Sequence, residues 1–432
     1  NGRYLLSDAE EALAAKMAQT GSAAWAKLQN VVSSTLLVEV PLVEGVKKLP
    51  LPVVRNMAYD RDQKTRKAAF EAEIESYRSI EDASAACLNG IKGEAITLAK
   101  ARGYTSVLEK TLRDSRVEKT TLDSMLGAIR DSLPAFGRYF KKKAQLLGHP
   151  TGLPFYDLFA PIGDIDLRYT YEEAAAFIID RFASFSAHLS NFAKRAFENR
   201  WIDALPREGK RGGAFCYNVR VINESRIMAN FNGSFNNMTT LAHELGHGYH
   251  GECLREQSLL NSHYTMPLAE TASIFCETIV TDAAYAQASE AAKLAILEHQ
   301  ISSAAQVIVD IYSRYLFETE LIQRREDGSL SVAQLKEAMK NAQMKAYGDG
   351  LAPEVLHPYM WINKPHYYSA DNNFYNFPYA FGLLFGKGLY AEYLDNREAF
   401  VASYPQLLAE TGKNSVAEIG SIAGIDVNQT AF

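Results

Sequence analysis

Two histidines four residues apart, in the segment His243-Glu244-Leu245-Gly246-His247, constrain this chain more than any other feature. On a helix, a four-residue step advances about 40° around the axis and about 6 Å along it, so both imidazoles can reach one ion at about 2.0–2.1 Å. Glu244 then lies about 100° from His243, poorly placed as a ligand but able to take a proton from a water beside the ion. In a chain with 9 His and 51 acidic residues, chance supplies about 0.02 such matches. The flanks suit a helix: Thr239 and Thr240 offer caps, Leu241, Leu245 and Tyr249 a buried face, and Gly246 close packing.

A tetrahedral zinc site needs a further protein ligand. A metzincin would place a histidine six residues after His247, where this chain has Cys253. His250 shares the helical face but lies about 10 Å along the axis from His243, too far to share the ion, so it is expected in an outer shell or facing substrate. Glu270, in Pro267-Leu268-Ala269-Glu270-Thr271, is near the start of a second helix and is the better candidate. Glu277 follows on the same face, placed to orient a histidine. The strand-like Ile227-Met228-Ala229-Asn230-Phe231 precedes the metal helix. An exposed edge there would hold an extended peptide by main-chain hydrogen bonds, which makes Ala229 and Asn230 substrate-binding candidates.

Around this motif the chain reads as mainly α. Asp8 to Asn30, Arg61 to Ala101, Thr120 to Leu147 and Tyr171 to Asn199 carry apolar residues at three- and four-residue spacing, and alternating strand patterns are nearly absent there. Gly148 to Asp166 reads as a loop. At Pro206 to Gly213 a turn introduces two short strands, Ala214 to Val221 and Arg226 to Phe231, beside the metal helix. Helical spacing resumes over Thr239 to Cys253, Pro267 to Gln287, Glu290 to Arg325 and Ser331 to Tyr347. The expected division is a helical N-terminal lobe, 1–205, and a catalytic lobe, 206–432. The aromatic stretch from His357 to Phe381 reads as a packed loop leading into a core helix.

A net charge of −6 argues against nucleic acid as a partner, since phosphate recognition needs a basic face. The most apolar stretch, Val31 to Val46, is interrupted by Ser33, Ser34, Glu39, Pro41 and Glu44, so no membrane span is expected. The four cysteines form no CxxC pair, which suits a reducing cytoplasm. The chain begins at Asn1 without a leader pattern, as a processed or partial sequence would.

The residues resemble the oligoendopeptidase F branch of the thimet oligopeptidase family. The similarity runs through Tyr104-Thr105-Ser106, Tyr156-Asp157-Leu158, Gly212-Gly213-Ala214-Phe215-Cys216, Thr240 to His247, Ala269-Glu270-Thr271-Ala272-Ser273 and the segment from His366 to Gly382. It implies a large helical ellipsoid split by a deep substrate channel, with one zinc per chain at its floor and unfolded oligopeptides as substrates. Glu270 would be the third ligand, and His366 with Tyr368 or Tyr375 would stabilise the oxyanion. Tyr379 would face substrate. Relatives carry tyrosine at alternate positions near Tyr379, whereas this chain has Phe377, and they usually have further N-terminal helical sequence. The expected activity is hydrolysis of internal peptide bonds by zinc on His243, His247 and Glu270, with Glu244 as general base. The rival readings are a zinc-containing peptide-binding protein without turnover and a zinc carboxypeptidase.

Overall fold

The computed structural model describes residues 2–163, 167–207, 210 and 213–431. The end of the expected loop at Asp166, much of the turn from Pro206 to Gly213, and Gly212 of the family-like segment lie outside the described residues. The protein is mainly α, as its apolar spacing predicts. It forms two compact units drawn from interleaved stretches: 1–114, 129–162 and 305–377 make the first, and 115–128, 163–304 and 378–432 the second. A boundary at 205/206 therefore falls inside the second unit.

In the first unit the expected helix from Asp8 to Asn30 is two, Asp8–Thr20 and Ser22–Ser34, hinged at Gly21. Glu94 caps the second from across the unit, accepting from the Ser22 backbone N at 2.7 Å and from its Oγ at 2.6 Å. A side chain at Gly21 would collide with that carboxylate. The segment read only for its apolar content is an antiparallel hairpin, β1 (Leu37–Leu42) and β2 (Gly45–Pro50), turning through Val43-Glu44 with Gly45 at φ +113°. Val38 and Val40 are buried while Leu37, Glu39 and Pro41 are exposed, the period of two expected for a strand with one face on the core. Longer helices follow, among them Glu81–Ala101, Ile311–Asp327 and Val332–Tyr347. The expected run from Glu290 to Arg325 is interrupted by one π-helical turn, Gln306–Asp310.

The second unit holds a three-stranded sheet in the order β3-β5-β4, where β3 is Ile202–Asp203, β4 is Phe215–Val219 and β5 is Glu224–Met228. Strands β4 and β5 are joined by a turn with Asn223 left-handed at φ +52°, a conformation asparagine tolerates better than most residues. Two helices dominate the unit's interior, α1 (Phe235–Cys253) and α2 (Thr271–Gln287). Helix α1 begins earlier than Thr239: Ser234 caps it by accepting from the Asn237 backbone N, and Thr239 and Thr240 turn their hydroxyls to the Asn236 carbonyl. Phe235, Met238, Leu241, Ala242, Leu245 and Tyr249 make its buried face. A Cβ on Gly246 would stand 2.6 Å from the Ala272 carbonyl oxygen and the Ser273 Cα, so the glycine lets the two helices meet backbone to backbone. None of the described helices is long and apolar enough to cross a membrane.

Candidate metal centre

The close approach at Gly246 brings the start of α2 over the histidines. The expected helix from Pro267 to Gln287 breaks at Glu270, which joins the short helix Met266–Ala269 to α2. Glu270 Oε2 lies 3.1 Å from His243 Nε2 and 3.5 Å from His247 Nε2. Ligand atoms at about 2.0–2.2 Å from a tetrahedral ion stand about 3.2–3.6 Å apart, so this spacing fits one first-row metal. Among the described residues, His243, His247 and Glu270 form the single group of His, Cys, Asp or Glu side chains placed to hold an ion. The far side of Glu270 is fitted as closely: a Cβ on Gly382 would stand 2.7 Å from the Glu270 Cβ.

Each donor has a partner that fixes its direction. His243 Nδ1 lies 3.0 Å from Glu277 Oε2, so the ring spans two carboxylates and its Nε2 is held toward Glu270. The ring of His247 is hydrogen-bonded to the Ala269 carbonyl. Ser273 Oγ donates to Glu270 Oε2 at 2.8 Å, the same oxygen that faces both histidines. Carboxylates that orient metal-binding histidines in this way typically contribute about 10–100-fold in affinity. Glu277→Gln is accordingly expected to weaken metal binding by about 10–100-fold while α2 stays folded, which competition with a chelating dye would measure.

The electrostatics favour a cation. Burial disfavours charge on His243, yet its hydrogen bonds to Glu270 and Glu277 push it up to about 10. Burial raises Glu270, but the neighbouring His243 outweighs this and takes it down to about 2. His247 is pushed down to about 4 by burial and then by the charge on His243. One positive charge between the carboxylates is thus strongly stabilised, and a second is rejected. Glu244 is buried and raised to about 7, chiefly by burial with Glu270 and Glu277 adding to it. Its Oε2 has no hydrogen-bond partner, an orphaned acceptor of the kind that marks a place for a ligand or water. The Cys216 thiol, on β4, is close enough to Glu244 to feel its charge, and Tyr264 is similarly coupled to Glu270. Cys216, Ser273 and Tyr264 were not singled out from the sequence for this site.

Several other expected residues sit elsewhere. His250 is fully buried, donating or accepting at 2.8 Å with Thr411 Oγ1 and stacked on Tyr264 at 4.0 Å. It is a core residue and offers no surface to substrate. Ala229 and Asn230 are not on an open edge, because β5 is the central strand. The Ala229 backbone N donates to the Asp203 carbonyl at 2.9 Å, and the Asn230 amide donates to the Gly213 carbonyl at 2.9 Å. Strands β3 and β4 each have one unpaired side, and of the two β4 carries Cys216.

His366, Tyr368 and Tyr375 belong to the first unit. His366 and Tyr375 stack with centroids 5.3 Å apart and planes 10° from parallel. His366 is held neutral, pushed down to about 4 by burial and by the charges of Arg314 and Lys364. Tyr368 is buried with its hydroxyl toward Ser84 and Cys87, which makes it core and removes it as an oxyanion donor. Tyr379, in the second unit, is half-buried near the start of the helix Phe377–Asp395.

A family model described as peptidase family M3 matches residues 56–431. The chain is 25% identical over 376 residues to oligopeptidase PepF of Bacillus subtilis, covering 86% of this chain and 55% of that protein. It is 26% identical over 377 residues to an oligoendopeptidase F homolog of Lactococcus lactis, covering 86% of this chain and 62% of that one. The chain thus spans less than two thirds of the length of these curated relatives. The crystal structure of oligoendopeptidase-F from Enterococcus faecium shares the fold with a TM-score of 0.75 at 20% identity, over 99% of this chain and 72% of that chain. A protein from Chlamydophila abortus does so with a TM-score of 0.86 at 23% identity, over 99% of this chain and 72% of that chain. Family membership implies a metal, and the His-His-Glu cluster supplies donors for one. On the match across residues 56–431, the chain belongs to peptidase family M3.

Proposed function

We propose that this chain hydrolyses internal bonds of short, unfolded oligopeptides, with one zinc ion held by His243, His247 and Glu270. The observation that carries this reading is one Glu270 oxygen 3.1 and 3.5 Å from two histidine Nε2 atoms, beside a buried Glu244 whose Oε2 lacks a partner. Two imidazoles and one carboxylate are a donor set that zinc takes in peptidases, leaving a position open. When bound, the ion supplies Lewis acidity to water and to the scissile carbonyl.

The chain's own residues do the rest. Glu244, which exchanges a proton readily when raised to about 7, takes one from the attacking water and returns it to the leaving amine. Glu277 holds the His243 ring in one tautomer with Nε2 free to coordinate. The unpaired side of β4 is the edge on which an extended peptide would pair, replacing the expected edge at Ala229. His366 and Tyr375 are proposed as donors to the oxyanion, and Tyr379 as a substrate contact. The four thiols, all free, fit a reducing cytoplasm.

The test uses purified chain and an internally quenched peptide of about ten residues. Cleavage is expected to disappear with chelator and return with zinc, and mass spectrometry is expected to show internal cuts. Peptide binding with no chelator-sensitive cleavage would identify a non-catalytic binder. Stepwise release of single C-terminal residues would identify a carboxypeptidase.

A further inference from the structure

The first unit contains a cavity of about 220 Å³ whose charge is not balanced from within. At about 30 Å³ per water it holds a small molecule or one side chain. Phe70, Phe155, Phe159 and Met360 give it apolar walls, while Arg55 and Lys364 both face it. The Lys364 ammonium makes no hydrogen bond or ion pair among the described residues.

The nearby acids are already engaged. Glu73 Oε1 accepts from Tyr77 at 2.7 Å, lies 3.3 Å from Arg55 Nε, and also meets His357 and Asn363. Asp310 is bonded to Arg314, and Asp157 to Arg66 at 2.7 Å. Counting Arg55 with Glu73 and Arg314 with Asp310 leaves the Lys364 ammonium as one positive charge without a counterion. Gln306, in the π-helical turn, also lines the cavity, and such turns recur at ligand sites. An ammonium on apolar walls is costly to hold unpaired, and an anion from outside offsets that cost.

We propose that this cavity is a binding site for a small monocarboxylate carried on an aromatic or branched apolar body, with Lys364 as its charge partner and Arg55 beside it. Its lining residues all belong to the first unit. Burial, together with the charges of Arg314 and Arg55 and against those of Asp310 and Glu73, pushes Lys364 down to about 7. A bound carboxylate would act against that burial and hold the protonated ammonium.

The experiment is isothermal titration calorimetry of the full chain with 3-phenylpropionate and with its uncharged amide, before and after chelation. The carboxylate is expected to bind at least about tenfold more tightly than the amide, as a charge-assisted contact requires. Chelation is expected to leave its affinity unchanged. Lys364→Met is expected to erase the difference between the two ligands, and Lys364→Arg to preserve it. Equal binding of acid and amide, binding lost with the metal, no binding by the parent at about 10 mM, or an unaffected Lys364→Met would each overturn the proposal. If Lys364→Met does not fold, the acid-to-amide ratio in the parent and in Lys364→Arg still decides.

Discussion

Glu244→Gln is expected to keep its metal and lose about 10²–10⁴-fold in peptide cleavage. The amide has the shape of the carboxylate, so the buried position beside α1's neighbours is filled without a cavity. His243, His247 and Glu270 hold the donor atoms, and Glu244 acts on them through its charge. What the variant removes is a proton acceptor at an oxygen that has no other partner. Metal analysis of the purified variant should match the parent, while the quenched-peptide assay falls to near background. A near-parental rate would sink the assignment of Glu244 as base. Loss of metal would instead mean that the residue supports the cluster.

This site was unusually legible because its geometry is local. The step from His243 to His247 is set by helical pitch alone, and a carboxylate one helix later needs only two helices to cross. Glu270 and Glu277 both lie where seven-residue spacing on α2 puts them, one against Nε2 and the other against Nδ1 of the same ring. Spacing could not reveal that Glu270 stands at a helix break, because the apolar pattern of Leu268, Ala272 and Phe275 continues across it. Ser186 hides another break in the same way, ending one helix and capping the next by accepting from the Leu189 backbone N at 3.1 Å.

The misplaced residues share a cause. His250 is on the metal-binding face of α1 by angle, but Tyr264 and Thr411 arrive from distant sequence and bury it. Tyr368 and Tyr375 are equally aromatic neighbours in sequence, and only the packing against Ser84 sends one inward. The edge expected at Ile227 to Phe231 failed because β3 pairs on the far side of β5 with only two residues, too short to leave a pattern. Lys364 shows the same limit: nothing in its sequence neighbourhood indicates that every nearby carboxylate is already taken.

Lys92→Met is expected to destabilise the first unit by about 3–5 kcal/mol. Lys92 and Glu318 are 0% and 1% exposed and 2.8 Å apart, so deleting the cation leaves a carboxylate buried without its counterion. The damage spreads to the loop that carries Tyr375. Lys92 Nζ also donates to Asn373 Oδ1 at 2.8 Å, and Glu318 Oε2 accepts from the Asn376 amide at 2.9 Å. Between those asparagines, Phe374 is held at φ +53°, a conformation that costs a non-glycine residue about 1 kcal/mol or more and persists only when its surroundings enforce it. Adding Glu318→Gln removes the stranded charge and keeps an acceptor for Asn376, so the double variant is expected to recover most of the loss. Urea denaturation of the parent, both single variants and the double variant measures the coupling, and limited proteolysis between Ser369 and Asn376 reports the loop. A Lys92→Met chain within about 1 kcal/mol of the parent would contradict a buried pair of the strength that this geometry requires.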